Sequence, residues 1–289
     1  MNININNKNF KIQKGNLFNE ELESLSSLFK RVFKKNIPLD FIKWYYCDNP
    51  NGKAISHNII SNNNIIGHYA LIPIKIRLYD VEFKAALSVF TAIDKEYRGM
   101  YLFNELANRS FEIAKSEGIK FIVGVSNNLS TKLFIRYFKF KLISQLDVKI
   151  GIGNLKKKDN KADFKVLWDS KLIKWRLNNP RFNYKSKIIE DEVIIYNNIY
   201  KFFSIEVGRF FVKEFPEMEK NLLKKKFNLF NLWIGLGSYN WEKTLYFNLP
   251  KKLKPAPLNL IIKNLQDEKN EIFLEKEKIK FQLIDFDIF

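Results

Sequence analysis

Apolar residues along the chain switch between two periods, and the switches outline alternating helices and strands. The stretch ELESLSSLFKRVF (21–33) has the spacing of a helix with one buried face. NIIGHYALIPIKIRLYDVEFKAALSVFTAI (64–93) predicts two or three successive strands, with a turn at Tyr79 to Val81. After Gly99, the residues Leu102, Phe103, Leu106, Ser110, Phe111 and Ala114 form an apolar stripe on a helix that ends before Gly118. The strand SVFTAI leads into that helix and IKFIVGV follows it, so this region is expected to be a βαβ unit. Further along, KVLWDSKLIKW (165–175) predicts a helix and KIIEDEVIIYNNIYKFFSIEVGRF (187–210) predicts strands. LIDFDIF (283–289) alternates, which predicts a strand with Asp285 and Asp287 together on a solvent face. The fold class expected is α/β with a mixed sheet.

With 289 residues, the chain is long enough for one large domain or two ordinary ones. The polar, basic segment LKKKDNKADF (155–164) has no apolar period and separates two regions that each mix helices with strands. The expected division is a first domain over 1–154, a linker over 155–163 and a second α/β domain over 164–289. IKWYYCDNP (42–50) and IKWRLNNP (173–180) resemble each other, each a helix stopped before an Asn-Pro pair. Trp44 and Trp175 are 131 positions apart, about one domain length, so duplication and chance both stand as explanations of the match.

Composition narrows the partners. The formal charge is +18, which invites polyanions. Yet 41 of the 49 basic residues are Lys, beside 33 Asn and abundant Ile, the mark of an AT-rich genome filling solvent positions. Nucleic-acid readers lean on Arg for bidentate contacts, so nucleic acid is not the expected partner. No run of about 18 apolar residues predicts a membrane span. One Cys47 excludes a disulfide framework, two histidines and one cysteine give no metal cluster, and the first residues lack a secretory apolar core. The expected setting is the cytoplasm, with no metal.

The most specific chemistry lies in TAIDKEYRGMYLFNEL (91–106), followed by FIVGVSNN and LSTKLFIRYFKFKLI. A strand runs through one turn into a helix whose first amides favour an anion. This arrangement resembles the cofactor-binding core of the GNAT acetyltransferase superfamily, over about residues 8 to 150. The resemblance implies that acetyl-CoA is the acyl donor. It implies that Ala92 and Ile93 supply the strand edge for the pantetheine amides, and that Arg98, Gly99, Met100, Tyr101, Leu102 and Phe103 form the pyrophosphate turn. Asn127 matches the asparagine after the next strand, and Phe140 the terminal Phe of the core. Three positions depart from the pattern: Tyr101 and Phe103 stand at small-residue positions, and Lys139 replaces the glycine before Phe140. Tyr101 therefore has to turn outward for the phosphates to reach the backbone. The tyrosine that often protonates the thiolate would fall near Ile135, leaving Tyr137 beside it.

No catalytic residue is assigned. His68 is a candidate base by its ordinary pKa, against the plainer expectation of a half-exposed strand histidine beside Tyr69. Glu82 and Glu96 read as solvated carboxylates. The activity implied is direct transfer of an acetyl group to an amine of a small molecule, such as an amino sugar or a nucleotide-linked sugar. Two other readings remain: a non-catalytic GNAT-like binding or scaffold protein, and an aminoacyl-tRNA-dependent transferase built from tandem GNAT-like units. If the two halves are duplicates, the second half over 164–289 is a degenerate GNAT-like repeat, because it has no counterpart of the RGMYLF turn. Trp233, Trp241 and Tyr246 in that half are expected to be core aromatics.

Overall fold

In a computed structural model, residues 2–5, 8–99, 101–155, 158, 161–215, 229–254, 257–266 and 272–286 are described. The chain forms two compact units: the first comprises Met1–Ile74, Lys84–Gly124 and Lys263–Lys269, the second Lys75–Phe83, Val125–Ile262 and Asn270–Phe289. The mixed α/β class expected from the sequence is the one found.

The first unit opens with a hairpin of β1 (Asn2–Ile5) and β2 (Lys8–Lys14), then α1 (Asn19–Phe33) and α2 (Leu39–Cys47). An antiparallel ladder joins β2 to β3 (Ile55–Ser61) and β3 to β4 (Asn64–Leu78). The predicted turn follows β4, and β5 (Val81–Ile93) returns beside it. A 3-10 turn (Lys95–Tyr97) leads to α3 (Leu102–Ser116), which crosses over to β6 (Phe121–Ser126), parallel to β5. Side chains alternate across the sheet, as strand geometry requires. Tyr69 packs its ring edge on Phe103 and Phe111 of α3, while its neighbour His68 faces Phe29 of α1 and Tyr46 of α2.

The second unit contains α4 (Asn128–Phe138), β7 (Lys141–Gln145), β8 (Asp147–Ile152) and β9 (Phe164–Val166). The helix expected over 165–175 is split: β9 takes its first residues, and α5 (Ser170–Leu177) begins only after Asp169, whose side chain caps the Leu172 N–H at 2.8 Å. An antiparallel meander follows, of β10 (Lys185–Ile189), β11 (Glu192–Tyr200) and β12 (Phe203–Phe211). Then come β13 (Phe230–Leu236), parallel to β12, and β14 (Leu245–Asn248), paired with β8. β15 (Asn259–Asn264) pairs with β7 and β16 (Ile279–Gln282) with β9.

LIDFDIF is not a strand. Its first four residues form α6 (Leu283–Phe286), Asp285 is buried, and Asp287 lies outside the described residues. The Asp285 carboxylate accepts from Trp168 Nε1 at 2.7 Å and from the Gln282 N–H at 2.6 Å, which ties the segment inward. Trp233, Tyr239 and Tyr246 form a buried cluster with Leu155. Arg209, almost fully buried, is held bidentately by Glu206 at 2.9 and 2.8 Å and by Glu192 at 2.6 Å.

The two resembling stretches end their helices in the same way. Asn49 Oδ1 accepts from the Asn51 N–H at 3.0 Å, and Asn179 Oδ1 from the Arg181 N–H at 2.9 Å, each asparagine buried before its proline. Counting back from these turns, Tyr45 rather than Trp44 corresponds to Trp175.

Candidate functional site

In the first unit the β5–β6 ladder covers only Ala85–Ser88 against Phe121–Gly124 and then stops. Two residues later Phe90 adopts φ +48 in the middle of a strand. For a bulky residue this left-handed backbone costs about 1–3 kcal/mol and persists only where packing holds it. The packing is plain: the Phe90 ring stacks on Phe29 at 4.8 Å and contacts Tyr45 and Tyr46 edge-on at 6.2 and 6.0 Å. The strand therefore turns its peptide planes just where its parallel neighbour leaves it. Nothing in a period-two pattern marks a Phe with positive φ, so sequence reasoning missed this residue.

Beyond Phe90, Ala92 is buried and Ile93 half-buried. Asp94 organises the turn with both carboxylate oxygens, accepting from the Lys95 N–H at 2.9 Å and from Arg31 Nε at 2.8 Å, while its own N–H donates to Ile66 O at 2.8 Å. Arg98 is exposed, and its Nε donates back to Ile93 O at 3.1 Å, closing the loop on the strand it leaves. Gly99 has φ +79 with open space where a Cβ would point. Met100 lies outside the described residues.

Tyr101 is the residue before α3; it has φ +54, and its side chain is 69% exposed. The ring does stand outward. Leu102 is buried and Phe103 half-buried against Tyr69, so these two anchor the helix start through their side chains. The N–H groups of a helix's first turn have no intrahelical carbonyl, and the positive end of the helix favours an anion there. Ala92, Ile93, Arg98, Gly99, Tyr101, Leu102 and Phe103 thus follow one another around a single strand–turn–helix corner.

Asn127 belongs to the second unit, where its side chain caps α4 by accepting from the Ser130 N–H at 2.9 Å. Lys139, at the glycine position of the resemblance, takes φ +55 and closes that helix. Ile135 and Tyr137 are both substantially exposed.

His68 is neither half-exposed nor poised as a base. It is fully buried, and burial, with a smaller push from His57, lowers its pKa to about 3. The Tyr46 hydroxyl lies 2.8 Å from its Nε2 and Asn58 Oδ1 lies 2.6 Å from its Nδ1. His57, on the opposite face, pairs with Ser110 Oγ at 2.9 Å and is lowered to about 4 by burial, then by Arg109 and Lys14. Glu82 and Glu96 are exposed. Among the described residues, no group of three or more His, Cys, Asp and Glu could hold a metal, and no helix is long and apolar enough to cross a membrane.

Residues 16–136, which include the strand–turn–helix corner, match the family described as acetyltransferase (GNAT) domain. No curated protein matches. Among solved structures, similarity extends to a conserved protein of Enterococcus faecalis V583 described as "Probable N-Acyltransferase" (TM-score 0.59, 10% identity, 89% of this chain and 73% of that one). It extends equally to GCN5-related N-acetyltransferases of Kribbella flavida (TM-score 0.60, 9% identity, 88% and 72%) and Anabaena variabilis ATCC 29413 (TM-score 0.58, 11% identity, 89% and 73%). At these identities the likeness is one of fold.

Proposed function

We propose that the GNAT domain transfers an acetyl group directly from acetyl-CoA to an amine of a small molecule, an amino sugar or a nucleotide-linked sugar. One observation carries the reading: β5 is released from β6 after Ser88, is turned at Phe90, and runs through an Asp94-organised corner into the start of α3. A strand edge of this kind can pair with the amides of an extended ligand, and the helix start suits a phosphate. The outward ring of Tyr101 leaves the corner accessible to it. In the transfer the neutral amine attacks the thioester carbonyl carbon, the C–N bond forms, the C–S bond breaks, and the proton lost by the amine balances the one the thiolate gains. Positioning carries this reaction without a covalent enzyme intermediate.

We further propose that the chain is organised as a GNAT domain over 1–154, a linker over 155–163 and a degenerate repeat over 164–289. The shared Asn-Pro helix stop, the antiparallel meander after each, and the parallel strand that follows each meander support that reading.

The test is the thermal midpoint with acetyl-CoA, coenzyme A and ATP. A ligand at about 100 times its dissociation constant stabilises by roughly 2.7 kcal/mol. A shift with both thioester and free coenzyme, and none with ATP, supports the donor site and opens a screen of amines for thiol release. No shift at millimolar coenzyme overturns it.

A further inference from the structure

The second unit has the same diverging pair of parallel strands, and there the gap is filled. The β12–β13 ladder covers Phe203–Glu206 against Phe230–Trp233 and stops, as β5 and β6 stop after Ser88. One edge of β13 is taken by β8 from Asn231 to Gly235. Gly235 also pairs with Gln282, and Leu236 with Phe281, so β16 must lie on the other edge, the one β12 has just left. Gly235 makes this approach possible: at φ +154 it has no Cβ, and one added there would fall 2.4 Å from Phe281 O.

The filling segment also treats β12 as a ligand would. Three residues past the last ladder pair, the Arg209 N–H donates to Gln282 Oε1 at 2.7 Å, and Lys280 Nζ donates to Arg209 O at 3.0 Å. One side-chain acceptor and one side-chain donor thereby satisfy the edge-facing N–H and C=O of one strand residue, whose counterpart in the first unit is Thr91. Apolar packing completes the plug. Ile284 of α6 lies against Gly208 of β12, and Phe281 stacks on Phe286 at 5.3 Å.

We propose that residues 279–286 are a built-in occupant of the second unit's strand wedge, standing where a pantetheine-like ligand would lie, so that the chain has a single acyl-CoA site, in its first unit. The count of one rests on the donor-site reading above; the occupancy of the second wedge does not.

The experiment is hydrogen exchange by mass spectrometry on the full chain, free and with saturating coenzyme A, together with native mass spectrometry. The expected result is one bound coenzyme per chain, slower exchange over 89–93, and no change over 207–211. Lys280→Met combined with Gln282→Ala is expected to speed exchange over 207–211 by up to about tenfold, the scale of one or two hydrogen bonds, with 193–196 unchanged. Two coenzymes per chain, slowing over 207–211 on adding coenzyme A, or a double variant as protected there as the parent overturns the proposal. If coenzyme A alters neither segment, the donor reading has failed, and the plug is then decided by the double variant alone.

Discussion

The Tyr46 hydroxyl and His68 Nε2 sit 2.8 Å apart in the interior of the first unit, with Asn58 Oδ1 on the opposite ring nitrogen. Asn58 Oδ1 can only accept, so His68 carries its proton on Nδ1 and Nε2 accepts from Tyr46. Every polar atom of the ring is thus used, and removing one partner strands a buried acceptor. Tyr46→Phe is expected to lower stability by about 1–3 kcal/mol in chemical denaturation, the cost of a buried group left unsatisfied. An unchanged midpoint would mean that the pair is not formed in solution.

The same histidine gives stability a pH dependence. Its folded pKa of about 3 lies below the ordinary 6.5, so between those values the unfolded chain binds the extra proton. Stability should therefore fall as pH drops from 6.5 toward 3, and His57, lowered to about 4, acts in the same direction. His68→Gln keeps an amide for both neighbours and removes the titration. Denaturation midpoints at pH 7, 6 and 5 should decline less steeply for that variant, by up to about 1.4 kcal/mol per pH unit. Equal slopes would refute the assignment.

Phe90 tests the turned backbone of β5. Both Phe90→Ala and Phe90→Gly lose the stacking on Phe29, a cost of about 3–5 kcal/mol for a buried Phe. Only glycine escapes the strain of φ +48. Phe90→Gly is thus expected to be the more stable variant, by about 1 kcal/mol. If alanine is as stable or more so, the strand is regular at this point.

Much of this fold is legible in the sequence, and the exceptions share one cause. The strands over 64–93 and the helix after Tyr101 are read correctly because local period and local burial coincide. KVLWDSKLIKW misleads because Asp169 starts its helix late, and LIDFDIF because its alternation imitates a strand while Trp168, 117 positions earlier, draws Asp285 inward. His68 looks like a catalytic base only until Tyr46 and Asn58 enclose it. In each case the deciding partner is remote in sequence or is a cap, which periodicity does not register. The corner from Ala92 to Phe103 is found because one continuous segment builds it; the turned peptide at Phe90 inside it has no sequence mark at all.

Tyr101 holds an unusual position for its type, at φ +54 with its ring in solvent. A glycine there gives up little packing and removes the left-handed strain, although it also loosens the unfolded chain. Tyr101→Gly is expected to be neutral to about 1 kcal/mol stabilising, and to leave the coenzyme A dissociation constant within about twofold. A much tighter complex would show that the ring obstructs the corner after all.

The buried Arg209 cluster offers a test of its own. Burial alone would lower the guanidinium's pKa, but Glu206, with Glu192 beside it, more than reverses this and holds it above the ordinary arginine value. Glu206→Gln keeps the volume and removes the charge that sits bidentately on the arginine. Breaking a buried ion pair from one side costs about 3–5 kcal/mol when the remaining charge is left alone; here Glu192 stays on Arg209 at 2.6 Å, so the expected loss is smaller, about 1–3 kcal/mol for the charge-assisted bonds removed. The exposed Lys161–Asp80 pair on the same unit is the control, since solvent screens it. Urea melts should therefore separate Glu206→Gln sharply from the parent while Asp80→Asn superimposes on it. Because Arg209 is also the residue whose peptide is gripped by Gln282 and Lys280, the Glu206→Gln melt should be accompanied by faster exchange over 207–211. Loss of stability without that local opening would mean that the ion pair and the plug are held independently.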